Sequence, residues 1–284
     1  MKKSGYFNRN SYRIVFFLFY LMALRLNADS THTSFVIGET FRYTINIYGI
    51  KVGTQIIKLV SEEDFNGSSV YKIRGITKTT GISRLFHQYS EQWTLLIDST
   101  TLCPVWIERH IEDGGVSSDY TYSIDQAQHK VVVFNREKGE KKVIHTNNIV
   151  FDQYLVSLFY FYRENPFYFK GDFSFDFLKK DYVKTALLQQ VGPVQVCIPK
   201  LSRNDKTTTC KFSEKGGDGI EIYAGMNGFA VPLKIVFSVP LKNNKKSTKI
   251  ELYIRDYAVN IEEELIPESY RPLFNRGLLV INVL

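Results

Sequence analysis

The side chains able to bind a metal or attack a substrate are dispersed along this 284-residue chain. His87, His110, His129 and His145 stand far apart, and His32 lies near the start. Glu108 and His110 are two residues apart, so on a strand they share one face. That spacing can supply two metal ligands, and it is also common on ordinary strand surfaces. Cys103 precedes Pro104; a thiol nucleophile needs a lowered pKa and a base, and a small packing role accounts for this cysteine as well. Cys197 and Cys210 flank "IPKLSRNDKTTT" between two apolar runs, as positions across a hairpin would. They form one disulfide in an oxidising compartment or stay two small core residues. The glycines of "EKGGDGIEIYAG" lack the spacing and the following helix of a phosphate loop. These residues name no catalytic group, no metal and no cofactor, and the expectation is a non-enzymatic protein.

Aromatic side chains are the other candidates, and they concentrate in "FDQYLVSLFYFYREN", residues 151–165. Asp152 is a suitable N-cap and Pro166 a stop, which predicts a helix over 152–164. Leu155, Leu158, Phe159 and Tyr162 form one apolar face, while Tyr154, Val156 and Phe161 cover most of the rest. Such a helix must be buried, and it is too short to span a bilayer. Its surplus of tyrosine predicts a cavity in which Tyr154, Phe159, Tyr162 and Arg163 face Tyr43, Trp93 and Trp106. The ligand expected there is apolar or amphipathic and lipid-like. Rings that simply fill a core are the alternative.

The elements that must hold these residues are strands. "TFRYTINIY" sets Phe41, Tyr43, Ile45 and Ile47 against Arg42, Thr44 and Asn46, and "YSEQWTLLI" sets Tyr89, Glu91, Trp93, Leu95 and Ile97 against Ser90, Gln92 and Thr94. The alternation marks half-buried strands. It recurs in "DYTYSID", "FSFDF" and "TKIELYIRDY", with turn signals such as "FNGSS" and "EDGG" between runs. Gly49 and Gly53 bracket "IKV" and place a short connection there. The fold class expected is mainly β: about a dozen strands in a single highly curved antiparallel sheet, an open half-barrel wrapped around one central helix. The domain covers residues 35–260, and 261–284 form a C-terminal extension whose Glu262, Glu263 and Glu264 are solvated.

Residues 1–28 have the layout of a signal peptide. Lys2, Lys3, Arg9 and Arg13 precede an uncharged run from Ile14 to Leu24, and small Ala28 follows. The run is too short to cross a bilayer comfortably. The chain is expected to be exported, periplasmic where the source has two membranes, touching the membrane only through this segment if it is uncleaved. The formal charge is +7; these 28 residues contribute five basic and no acidic side chains, leaving +2. The remaining basic clusters fall in polar segments such as "REKGEKK", so no nucleic-acid partner is expected.

"GETFRYTINIYGIKVGTQ" (38–55), "FDQYLVSLFYFYR" (151–163), "GPVQV" and "GFAVPLKIVF" resemble blocks of the bacterial exported family called domain of unknown function 3108 (DUF3108). The second is similar to that family's "D...S..YY.R" block. Where members often carry an acid before the late Pro pair, this chain has Asn227 and Gly228. The resemblance spans Phe35 to Asn260 and implies a fold akin to lipoprotein carriers of the bacterial envelope, with no agreed activity and no catalytic residues. The function expected is an envelope protein binding a lipid-like ligand in its curved sheet. The alternative is a structural or assembly protein acting on an envelope protein partner.

Overall fold

The computed structural model describes residues 35–197, 206–215, 219–225, 231–240, 247–259 and 279–281. The signal segment, Asn227, Gly228 and the acidic run at 262–264 lie outside them. The strands are β1 (Thr40–Ile47), β2 (Ile50–Phe65), β3 (Ser68–Thr79), β4 (Tyr89–Asp98), β5 (Pro104–Asp113), β6 (Val116–Asp125), β7 (Lys130–Asn135) and β8 (Glu140–His145). The second half adds β9 (Val150–Phe151), β10 (Asp172–Lys179), β11 (Tyr182–Cys197), β12 (Lys206–Glu214), β13 (Ile220–Gly225), β14 (Pro232–Pro240), β15 (Ser247–Val259) and β16 (Leu279–Ile281). Two helices, α1 (Ser83–Phe86) and α2 (Val156–Glu164), and a 3₁₀ turn at Pro166–Lys170 complete the described elements.

All sixteen strands belong to one sheet. Its path runs from β8 down to β1, crosses to β15, and continues down to β9, with β16 beside β15. Neighbours are antiparallel except β9 with β10 and β15 with β16, so the sheet is mixed rather than wholly antiparallel. The parallel pairs arise where the chain returns through α2 or through the segment after Val259, instead of through a hairpin. Because Leu279–Ile281 pairs with Tyr257–Val259, part of the C-terminal extension belongs to the sheet.

Consecutive in the chain, β8 and β9 stand at opposite ends of the path and are not bonded to each other. Laid flat, fifteen strands would span about 67 Å. His145 and Val150, however, are five Cα steps apart, at most about 19 Å. The sheet therefore bends until its ends approach, without closing into a barrel. Side chains lace the seam. Gln126 Nε2 donates to Val150 O at 2.8 Å and its Oε1 accepts from Val150 N at 3.0 Å. Lys142 Nζ donates to Asp181 O at 2.8 Å, and Tyr122 Oη to Lys180 O at 2.6 Å.

Alternation decides what is buried. Glu91, Trp93, Leu95 and Ile97 are buried while Gln92 is exposed, as period two requires. The β1–β2 turn is Tyr48–Gly49, both at positive φ, so "IKV" lies inside β2 and not in the connection. Gly53 instead serves packing: a Cβ there would fall 2.7 Å from Lys78 O.

The helix starts later than Asp152 predicts. Leu155 has a left-handed backbone, φ 61°, and α2 begins at Val156. Asp152 nevertheless caps it: the carboxylate accepts from Val156 N at 3.2 Å, Ser157 N at 2.8 Å and Ser157 Oγ at 2.5 Å. Two otherwise unpaired N–H groups of the first turn are thereby satisfied. Burial pushes the Asp152 carboxyl upward, against those bonds.

Candidate functional site

The described residues that combine charge, hydroxyls and aromatic rings meet where α2 lies on the sheet. They form two buried clusters. In the first, Glu39 is wholly buried just before β1 and faces the C-terminal half of α2. Arg163 Nη1 lies 2.8 Å from its Oε1, Tyr160 Oη donates to Oε2 at 2.7 Å, and Tyr257 Oη donates to Oε1. The Arg163 guanidinium also sits 5.5 Å from the Phe41 ring and 5.0 Å from that of Tyr160. Removing either charge would strand the other in a dry interior, typically costing about 3–5 kcal/mol.

Glu91 is the centre of the second cluster. Arg109 reaches it through Nε at 2.7 Å and Nη2 at 2.5 Å; Tyr89 Oη donates at 2.7 Å, and Tyr154 Oη donates as well. Gln153 Nε2 adds a donor at 3.3 Å, while Arg109 Nη1 donates to Tyr122 Oη at 3.0 Å. Burial opposes the charge on Arg109, but Tyr154 and Glu91 outweigh it and hold its pKa up. Burial likewise pushes the Tyr154 and Tyr89 hydroxyls up, so both stay protonated donors. Four of these donors converge on Oε1, while Oε2 accepts from Tyr89 alone. The cluster ties the segment just before α2, through Gln153 and Tyr154, to β4, β5 and β6.

The seven residues expected to line a cavity are placed as follows. Trp93 stacks on Tyr154 with ring centres 4.4 Å apart. Tyr43 is buried and donates to Pro232 O at 3.0 Å. Tyr162 meets Phe169 and Phe212 edge-on at 4.9 and 5.2 Å. Arg163 is engaged with Glu39, and Phe159 borders two interior gaps. One gap lies toward Leu188, Phe212 and Ile222, the other toward Phe41, Tyr43 and Ile57, each with room for about 10 Å³. Trp106 does not join this group: β5 turns Ile107 and Arg109 inward, so Trp106 faces the other side, near Phe65 at 6.0 Å.

The disulfide expected between Cys197 and Cys210 is not formed, and Cys210 is a free, buried thiol. In the β11–β12 ladder Cys210 faces Pro193 while Cys197 faces Lys206. Four residues along a strand are about 13 Å, well beyond the roughly 7 Å a bridge allows between Cα atoms. Gln190 Nε2 donates to Cys210 Sγ at 3.0 Å. Burial pushes the Cys103 thiol up to about 11, the opposite of what a nucleophile needs. His110 pairs with Asp119 at 2.7 Å, and Glu108 with Arg136 at 3.0 Å. Among the described residues no group of three or more His, Cys, Asp or Glu could hold a metal ion.

Outside the core, a groove of about 490 Å³ crosses β2 to β6 on the face away from α2, bordered by Lys58, Arg74, Gln92, Glu108, His110 and Arg136. Lys58 and Arg74 are directly opposite each other. Sequence reasoning missed Glu39 and Arg109. The signal for Arg109 was its parity: it alternates with Ile107 and Ile111, so it had to point inward toward a carboxylate.

No curated protein matches the chain. Among solved structures, the chain is similar to the β-barrel-like protein of domain of unknown function DUF1849 from Brucella abortus, at 9% identity and a TM-score of 0.44, covering 78% of this chain and 99% of that one. The model of the family described as protein of unknown function (DUF3108) matches residues 42–198, which include most of β1, β2 to β10 and α2. The chain belongs to the DUF3108 family.

Proposed function

We propose that the chain is an exported, non-enzymatic module that acts through its outer surface on other macromolecules of the cell envelope. In this reading the sheet wraps α2 as an open half-barrel, in the manner of envelope lipoprotein carriers, but without their cargo space. What supports the wrap is that α2 side chains touch strands far apart along the sheet, Arg163 beside Phe41 of β1 and Phe161 stacked on Phe173 of β10. The observation that carries the function is the close packing beside α2 among the described residues: each gap beside Phe159 has about 10 Å³, against roughly 300–1,000 Å³ for a typical ligand pocket. A lipid-like ligand between helix and sheet has less support than surface contact. The basic front and apolar run of residues 1–24 support export.

Native mass spectrometry of the protein taken from its own cells tests both parts. The expected mass is that of the chain beginning after Ala28, with no stoichiometric lipid. A stoichiometric lipid that disappears in Ala224→Phe, which fills the gap beside Phe159, would overturn the surface reading and restore the carrier. A chain still beginning at Met1 in the cytosol would overturn export.

A further inference from the structure

Three loops at one end of the sheet carry side chains that its core does not use. The β3–β4 connection contains α1, a single turn with no buried residue and no side-chain cap. Ile82, Leu85 and Phe86 are 74%, 84% and 85% exposed. Their spacing, i, i+3 and i+4, puts all three on one face. The loop is held by neighbours on both sides: Thr80 N donates to Val52 O at 3.0 Å, and Gly114 N donates to Gln88 O at 2.9 Å. Those flanking tips are apolar too. Tyr48, whose Oη is tied to Thr248 Oγ1 of β15 at 2.9 Å, and Ile50 of the β1–β2 hairpin are 72% and 67% exposed, and Val116 of the β5–β6 hairpin is 66% exposed. Successive tips two strands apart are about 10 Å apart, so the three apolar tips stand in a row along the rim. Exposed apolar side chains grouped in this way mark a site of association.

Charge indicates what the rim meets. Lys51, Lys78 and Arg84 are exposed around the row and have no carboxylate partner among the described residues. Of the nearby acids, Asp113 lies 2.8 Å from His87 and Glu112 lies 3.6 Å from His110, contacts that offset their charge only when the histidine is protonated, so the three cations outnumber the two carboxylates. Apolar side chains at protruding tips with free cations beside them match an anionic bilayer surface, into which the tips dip while the cations meet headgroups. Building on the surface-acting reading, we infer that the rim formed by Tyr48, Ile50, Ile82, Leu85, Phe86 and Val116 is a docking edge for anionic lipid membranes.

The test places an indole on the rim. In the full chain carrying Phe86→Trp, emission shifts to the blue on adding vesicles of phosphatidylcholine with phosphatidylglycerol, and brominated lipid quenches it. With Trp at position 143 on β8 (Val143→Trp), neither change is expected. Leu85→Ser with Phe86→Ser lowers vesicle flotation about ten-fold or more, and Arg84→Gln lowers it about five-fold, on anionic vesicles only. All these side chains are exposed, so an unchanged melting curve accompanies the loss. An unshifted indole at 86 while the chain still floats, through the segment before residue 35, overturns the inference. So does a chain that binds no vesicle, or a rim whose Leu85 and Phe86 are needed only for a protein partner; either result leaves the surface-acting reading standing. A stoichiometric interior lipid fails that broader reading and is read in a different experiment.

Discussion

The imidazole of His110 is 2.7 Å from Asp119, and this hydrogen bond, aided by the charge, raises its pKa above the ordinary value of 6.5. A raised histidine pKa contributes stability that is complete below the unfolded value and is lost as pH rises through the folded one. The NMR titration midpoint of His110 is expected above 6.5, and Asp119→Asn should bring it down. The stability advantage of the parent over Asp119→Asn should shrink as pH rises above the ordinary value of 6.5 and through the raised folded one. A parent midpoint at the ordinary value would mean that the pair does not form in solution. The pair was legible only as residue types, since Glu108 is the residue that spacing offers His110, whereas Asp119 comes from the next strand. Glu91 was legible as an inward position, but its partners on β5 and in the segment before α2 depend on register, which alternation within one strand does not specify.

At the scale of the element, the contact of β3 with β4 depends on a missing side chain. Gly75 lies opposite Trp93, and a Cβ at Gly75 would fall within the indole. Stacking on Tyr154 at 4.4 Å leaves the ring little room to yield. Gly75→Ala should therefore cost about 1–3 kcal/mol, read as a lower denaturant midpoint at constant slope. No change in midpoint would show that the indole can shift. The strands with clean alternation were readable from their own residues. The two-residue β9 and three-residue β16 were not, because neither is long enough to show a period. The helix was readable in its apolar surface and its end near Pro166, but the left-handed turn at Leu155, which shifts its start, follows from packing and not from the type of that residue.

For the whole molecule, the seam between β8 and β9 is where backbone pairing stops and side chains take over. Gln126 alone satisfies both polar groups of Val150 across it. Gln126→Ala should cost about 1–3 kcal/mol and raise hydrogen exchange at Val150 above that of residues in β4 and β5; unchanged exchange would show that the seam is held elsewhere. Sequence could announce many strands around a buried helix, yet the order of the path was hidden, because it rests on one long-range ladder. Thr40 pairs with Ala258 and Ile47 with Ile250, and this β1–β15 contact is what joins the two meanders. Wherever the chain folds, β1 to β8 can pair among themselves first, while the other edge of β1 waits for β15 to dock. Until it does, an unsatisfied strand edge is open to neighbouring chains, so the half-folded chain is the form most exposed to edge-to-edge association.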